Sequence, residues 1–419
     1  MRRLYERRQF MNILFLDGAP AATLHSGKSV RMVNLLKRLG RRHALHYVAL
    51  LGPADADGVP GWLRPLVASA RVWKRAERPS RLGRYVNWVT LRPWFYARWR
   101  YPDDYHTLSA RVRRLVNEER IELIHAFDEE VAQFIPEEVP CPWVADPGDA
   151  MALHALRRAQ HSAAAADRLH WRLQAWRLRH YERDMVRRAD ATVFVSPVDA
   201  ALYVRNGTRS RVHVIPNGVD TDGVSPSLTH VPCPTSHVPA LLFTGHMSYG
   251  PNVDAAQYLC DEILPLIRAQ VPDVVCIIAG ADPTDEVCAR HDGRSVIVTG
   301  VVEDLRPYFE QATVSVCPMR LGAGVKNKLL EAMAMGKAIV TTRLATDGLN
   351  VHDGVHLRIA GNTADTARVL IELLRDAEQC RRLGAAARAY VETHHQWDRV
   401  AERYDALYKQ LVNGVTDRP

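Results

Sequence analysis

Short apolar runs alternate along the chain with stretches of helical spacing, and the alternation occurs in two successive blocks. Residues 12–16 form an apolar run ending at Asp17-Gly18, which predicts a buried first strand. From 29 to 39 the apolar positions Val30, Val33, Leu36 and Leu39 recur at helical spacing, and Gly40 stops the pattern. Further strands are predicted at 46–51, 122–127, 142–145, 191–195 and 212–215, with a helix at 111–119. Residues 151–189 are rich in Ala, Arg and Leu and hold no Pro or Gly, so they read as long helices.

The second block repeats the pattern. Strands are predicted at 240–243, 274–279, 296–298, 314–317 and 338–341. Helices are predicted at 253–269, 305–311 and 328–335, with glycines closing most elements. Strands of this length alternating with helices imply parallel sheets covered on both faces. The expected fold class is therefore α/β, as two doubly wound Rossmann-like domains. Ligands of such sheets bind beyond the carboxyl ends of the strands, so both domains are expected to face a central cleft.

Charge supports the division. Residues 1–230 carry 36 basic and 24 acidic side chains, net +12, and the rest carry 19 and 23, net −4. A boundary near 230 follows, with the Pro-, Ser- and Thr-rich segment 225–239 as linker. The expected domains are 1–230, 231–395, and a C-terminal segment 396–419. Seven cysteines without a C-x-x-C pair suit free thiols in a reducing compartment and favour neither disulfides nor a metal site. No apolar stretch is long enough to span a bilayer, and the N-terminus does not read as a signal peptide, so a cytoplasmic protein is expected. Arg and Trp interleave between Arg64 and Arg114, with Trp62, Trp73, Trp88, Trp94 and Trp99. Such a patch suits the anionic inner face of a membrane, giving peripheral association; it equally suits a solvated face with core Trp residues. No nucleic-acid module accompanies it, and no nucleic-acid partner is expected.

Two segments have phosphate-binding character. Ala22-Thr23-Leu24-His25-Ser26-Gly27-Lys28-Ser29 fits a loose P-loop pattern, although Ala22 stands where a leading Gly is needed. The alternatives are a nucleotide hydrolase, a Gly loop touching a ligand through Gly27 and Lys28, and a plain strand-to-helix loop. The second is Gly322-Ala323-Gly324-Val325-Lys326-Asn327-Lys328, which opens a helix after the 314–317 strand. Helix N-termini favour anions, and two Lys there want an anionic partner. Glu331, in the first turn, can accept two vicinal ribose hydroxyls; a solvated Lys pair with a capping Glu is the structural alternative.

This loop resembles the nucleotide-sugar loop of retaining glycosyltransferases of family 4, of GT-B fold, in the branch with a Gly-x-Gly-x-Lys-x-Lys form. Phe243-Thr244-Gly245-His246-Met247 with Pro251-Asn252 resembles the first strand of their donor domain. Ile278-Ala279-Gly280 and Val298-Thr299-Gly300-Val301-Val302-Glu303-Asp304-Leu305 resemble the next two. Ile215-Pro216-Asn217-Gly218-Val219-Asp220 resembles the interdomain segment, and Trp397 opens a last helix like the one that crosses back to the first domain. Ala323 stands where the family often has Glu, His246 where it has Arg, and Phe127 where a second His often stands.

The resemblance implies a retaining, metal-independent transfer of a sugar, without a cofactor, from a nucleoside diphosphate sugar (UDP or GDP) to a saccharide or lipid-linked acceptor, in polysaccharide or glycoconjugate biosynthesis. It implies donor contacts from Gly245, His246, Gly300, Val301, Val302, Arg320, Gly322, Gly324, Val325, Lys326, Asn327, Lys328 and Glu331. His125 and Asp128 are the catalytic candidates, and Asp146 and Asp149 belong to the acidic acceptor loop. A member that binds nucleotide sugars without turnover is the non-enzymatic alternative.

Overall fold

The computed structural model describes residues 10–18, 27–51, 58–75, 80–204, 208–209, 211–221, 223 and 238–416. The chain divides into two compact units, Met1–Pro216 with Val400–Pro419, and Asn217–Arg399. Most of the linker candidate 225–239 lies outside the described residues, as do Cys233 and residues 22–26 of the P-loop-like segment.

Among the described residues the first unit is built on seven parallel strands: β1 (Asn12–Asp17), β2 (Ala44–Leu51), β3 (Ser69–Lys74), β4 (Leu123–Phe127), β5 (Trp143–Gly148), β6 (Ala191–Phe194) and β7 (Val212–Val214). Their order is β3-β2-β1-β4-β5-β6-β7, so the winding reverses between β1 and β4. Ile13, Leu14, Phe15 and Leu16 are all fully buried, as expected of a central strand covered on both faces. The helix Gly27–Leu39 follows β1, and Pro102–Glu118 buries Leu108, Val112, Leu115 and Val116. Residues 151–189 form two helices, Met151–His161 and Ala165–Arg188.

Among the described residues the second unit holds six parallel strands: β8 (Ala240–Thr244), β9 (Val275–Ala279), β10 (Val296–Val298), β11 (Val314–Cys317), β12 (Ala338–Thr341) and β13 (Arg358–Ile359). Their order is β10-β9-β8-β11-β12-β13, and here the winding reverses between β8 and β11.

Departures from the sequence reading have local causes. The single helix expected at 253–269 is Gly250–Tyr258, then a π-helical turn over Leu259–Ile263, then Leu264–Arg268. Pro265 has no N–H to donate, and one wider turn absorbs the lost bond. β3 carries no strand pattern in the sequence because every residue of Ser-Ala-Arg-Val-Trp-Lys is half-buried on a sheet edge, which blurs the alternation. The last helix, Trp397–Thr416, opens on a buried Trp397, and from Val400 onward it belongs to the first unit. Among the described residues no helix is long and apolar enough to cross a membrane.

Candidate functional site

In each sheet most candidate residues gather at the carboxyl ends of the two strands that flank the reversal, where doubly wound sheets leave a crevice; residues 300–302 follow β10, and Asp146 and Asp149 stand at the end of β5. In the second unit the gathered residues are Gly245, after β8, and the loop 318–326, after β11. That loop runs into the helix Asn327–Ala334, with Lys326 in the N-cap position.

Lys328 is the centre of this cluster. Its Nζ donates to the Asn252 side-chain oxygen at 2.6 Å and lies 4.3 Å from the centroid of the Phe243 ring. Burial lowers its pKa to about 8. Lys326 is 8% exposed and donates to the carbonyl oxygens of Ala323 and, at 2.9 Å, Gly324. These loop carbonyls turn toward Lys326 because Gly322 (φ 109°) and Gly324 (φ 66°) occupy the left-handed half of backbone space. Glu331, partly buried, has its pKa raised to about 7 by burial, against the opposing effect of Lys328. Two cations are thus held at one helix start, where amide N–H groups already favour an anion; Glu331 lies beyond the first turn, not within it as the sequence suggested, because the helix begins at Asn327.

The neighbouring backbone is equally constrained. Asn252 donates to the His246 carbonyl oxygen at 2.8 Å. A Cβ at Gly245 would stand 2.7 Å from the Asn252 side-chain nitrogen and 2.9 Å from the Lys328 Nζ. Asn252 lay inside the Pro251-Asn252 motif, yet its role in holding Lys328 was not read from sequence. Asn327 accepts from the Asn217 side chain at 2.8 Å.

Other expected donor residues stand differently. Arg320 is clamped on Asp254 by two hydrogen bonds, at 2.8 and 3.2 Å, with its guanidinium 4.1 Å from the Tyr258 ring centroid. His246 pairs with Asp282 at 2.9 Å and with the Ser248 hydroxyl at 2.9 Å. Gly300 (φ 69°) closes β10 and is followed by a well-exposed Val301 and a half-buried Val302. Val325 is buried in the loop.

In the first unit the reversal is bridged by an ion pair. Lys28, on the helix after β1, donates to Asp128, which follows β4. Asp128 has φ 125°, a conformation that costs a non-glycine residue about 1–3 kcal/mol. It is held there by the Lys28 pair and by accepting from the Glu130 amide at 2.8 Å. Glu129 beside it has a pKa raised by burial to about 7, with Lys28 acting in the opposite direction. This group was not singled out from sequence, where an acidic pair at a helix start reads as capping. Lys28 is therefore committed to a carboxylate. Gly27 is the first residue of its helix, and Asp149 is exposed on the loop after β5.

The structure places His125 and Asp146 inside the unit rather than at its surface: they are 0% and 2% exposed. His125 Nε2 lies 3.3 Å from the Asp146 carboxylate, its Nδ1 meets the Tyr408 hydroxyl, and its ring stacks on Phe15 with centroids 4.6 Å apart. Tyr404 donates to Asp146, and Arg31 donates both to Tyr404 and to the Ile215 carbonyl oxygen, the latter at 3.0 Å. Burial alone would raise the Asp146 pKa, but Arg31, His125 and Tyr404 together hold it at about 2. This cluster fastens the last helix to the strand ends of the first unit.

Residues 238–376 match the family described as glycosyl transferases group 1, and residues 147–223 match Glycosyltransferase Family 4. An uncharacterised 44.6 kDa protein in the cps region of Klebsiella pneumoniae is 21% identical over 178 residues, 41% of this chain. The match spans 45%, about half, of that relative's length. Among solved structures, sucrose-phosphate synthase from Thermosynechococcus elongatus superimposes with a TM-score of 0.70 at 17% identity, covering 96% of this chain and 100% of that one. HepE of Anabaena, in complex with UDP and glucose, gives 0.65 at 16% identity with the same coverage. The fold is that of the GT-B glycosyltransferases, and the two matched segments carry the sequence pattern of glycosyltransferase families.

Proposed function

We propose that the protein is a retaining, metal-independent glycosyltransferase that moves a sugar from a nucleoside diphosphate sugar to a saccharide or lipid-linked saccharide. The observation that carries this reading is the placement of Lys326 and Lys328 at the helix start beside the β8–β11 reversal, with Glu331 one turn further along. The two ammonium groups and the loop amides suit a diphosphate, and Glu331 suits the ribose diol. A site that neutralises the leaving diphosphate stabilises the charge that develops as the glycosidic bond breaks. In the proposed step the acceptor oxygen attacks the anomeric carbon from the face the diphosphate leaves. The C–O bond to phosphate breaks, and the leaving phosphate oxygen takes the acceptor proton. Asp128, exposed enough to meet a hydroxyl and held rigidly by Lys28, orients the acceptor; His125, being enclosed, positions the strand end and the last helix. HepE, of like fold, binds UDP and glucose, in keeping with a UDP-sugar donor. The Klebsiella relative lies in a cps region, in keeping with a role in cell-surface polysaccharide or glycoconjugate assembly.

A thermal-shift panel of UDP-, GDP-, ADP- and dTDP-sugars tests the reading, since a ligand that binds only the native state raises the midpoint. One of them should do so, and Lys326→Ala or Glu331→Ala should weaken its binding by about 1.5–3 kcal/mol. Unchanged affinity in both folded variants rejects the site. Ala323 favours a second reading, binding without turnover, because no carboxylate stands there to meet the sugar hydroxyls; transfer or slow hydrolysis of the bound donor rejects it.

A further inference from the structure

The helix Arg81–Val89 is inside out. Its buried residues are Gly83 and Asn87, one turn apart, while Leu82, Tyr85, Trp88 and Val89 are 72%, 62%, 61% and 51% exposed. The polar side is outward in a helix that faces water. The inversion is fixed by packing. A Cβ at Gly83 would stand 1.8 Å from the Trp99 carbonyl oxygen, so the helix backbone lies directly on the segment 97–100. Asn87 donates to the Tyr96 carbonyl oxygen at 2.9 Å, and Ser80 caps the helix by accepting from the Gly83 amide at 3.1 Å. With those contacts made, the apolar residues can only point outward.

A second helix extends the same surface. Ala165–Arg188 exposes Leu169, Leu173 and Trp176, at i, i+4 and i+7, so they form one stripe. The two helices are joined: Arg177 donates to the Trp88 carbonyl oxygen at 3.3 Å, and Arg92 pairs with Asp184 at 2.6 Å. Exposed cations accompany the apolar groups, among them Arg81, Arg84, Arg98 and Arg172. Segment 80–101 holds five Arg and no Asp or Glu. On the second helix Glu182 is fully buried and Asp184 is taken by Arg92, which leaves Asp167, exposed in the first turn, as the one carboxylate facing solvent against Arg81, Arg84, Arg98 and Arg172.

Aromatic and aliphatic side chains fringed by an excess of Arg match an anionic lipid surface, where rings enter the headgroup region and guanidinium groups meet phosphate. A second copy would set Arg against Arg, which disfavours self-pairing. We propose that the exposed faces of Arg81–Val89 and Ala165–Arg188 form one docking surface for an anionic membrane. The inference stands on this surface alone and does not depend on the transferase reading.

Co-sedimentation tests it in the absence of any sugar donor, using phosphatidylcholine vesicles with and without phosphatidylglycerol, at low and high salt. The full chain should sediment with the phosphatidylglycerol vesicles at low salt, lose binding as salt rises, and shift its tryptophan emission to the blue. The exposed pair Trp88→Ser/Trp176→Ser should weaken binding at least about tenfold. Arg84→Gln/Arg172→Gln should weaken it and flatten the salt dependence, with the far-ultraviolet dichroism of both unchanged. Equal sedimentation of wild type and both variants, or none at low salt, overturns the proposal. So does a dimer in vesicle-free solution that Trp88→Ser/Trp176→Ser dissolves, which would assign the surface to a second copy.

Discussion

The Lys328 ammonium stands 2.6 Å from the side-chain oxygen of Asn252, on a strand-end cluster where burial has lowered its pKa to about 8. One turn along the same helix, burial has raised Glu331 to about 7. Each group is thus poised near neutrality, and each has the charge that a diphosphate and a ribose would stabilise.

A bell-shaped pH dependence of donor affinity follows. Below about pH 7 Glu331 must lose a proton to bind the ribose, and above about pH 8 Lys328 must gain one to bind the diphosphate. Affinity should therefore peak between these values and fall on either side by up to about tenfold per pH unit. Calorimetric titration of the nucleotide across the range checks this. Glu331→Gln should remove the acid limb and Lys328→Gln the alkaline one; a flat profile in the wild type would reject both assignments.

Gly280→Ala should unfold or loosen the second unit. The new Cβ would stand 1.8 Å from the Gly245 carbonyl oxygen, at a φ of 147°. Overpacking against backbone together with the unfavourable φ costs about 3 kcal/mol. For a unit of this size that is a drop of about 6–12 °C in Tm, accompanied by weaker donor binding because Gly245 adjoins Lys328. A melting point within error of wild type would contradict the packing described.

Arg31→Ala should cost about 3–5 kcal/mol, because it leaves Asp146 buried without its cation. The wild-type network has a pH signature. The Asp146 pKa lies below its unfolded value, so its contribution is present above about pH 4 and is lost as pH falls toward about 2. Arg31→Ala should be less stable at neutral pH and should lose less on acidification. Chemical denaturation at two pH values measures both.

Asp128→Asn should lower kcat about a hundredfold while leaving the donor Kd unchanged, the result expected when an acceptor is mispositioned. Asn can still cap Glu129–Ala132 and has the same Cβ as Asp, so the backbone strain at φ 125° is unchanged and the fold survives. Equal loss of donor affinity would move Asp128 out of the acceptor role.

Much of the architecture was legible because burial on both faces writes parallel strands as plain apolar runs. β1, β8 and β11 could be read in this way, and with them the glycines at their carboxyl ends. The 322–328 loop was legible for a different reason: two Lys at a helix start run against the macrodipole, so they stand out without any fold. Edge strands such as β3 and β13 were not legible, since half-burial removes the period that marks a strand. The turn at Leu259–Ile263 was hidden because Pro265 permits several ways of absorbing one lost hydrogen bond.

The roles of individual polar residues divide along the same line. The chain alone determined that β4 ends near His125 and Asp128, and β5 near Asp146, because strand ends follow from local pattern. Only the tertiary structure decided that His125 and Asp146 turn inward, onto Tyr404 and Tyr408, and that Asp128 turns to Lys28. Those partners lie 258, 283 and 100 residues away. The same holds for the inside-out helix Arg81–Val89, whose sequence carries an apolar stripe that reads as core. Its direction was set by Gly83, the one position where another backbone can approach closely enough to choose the buried side.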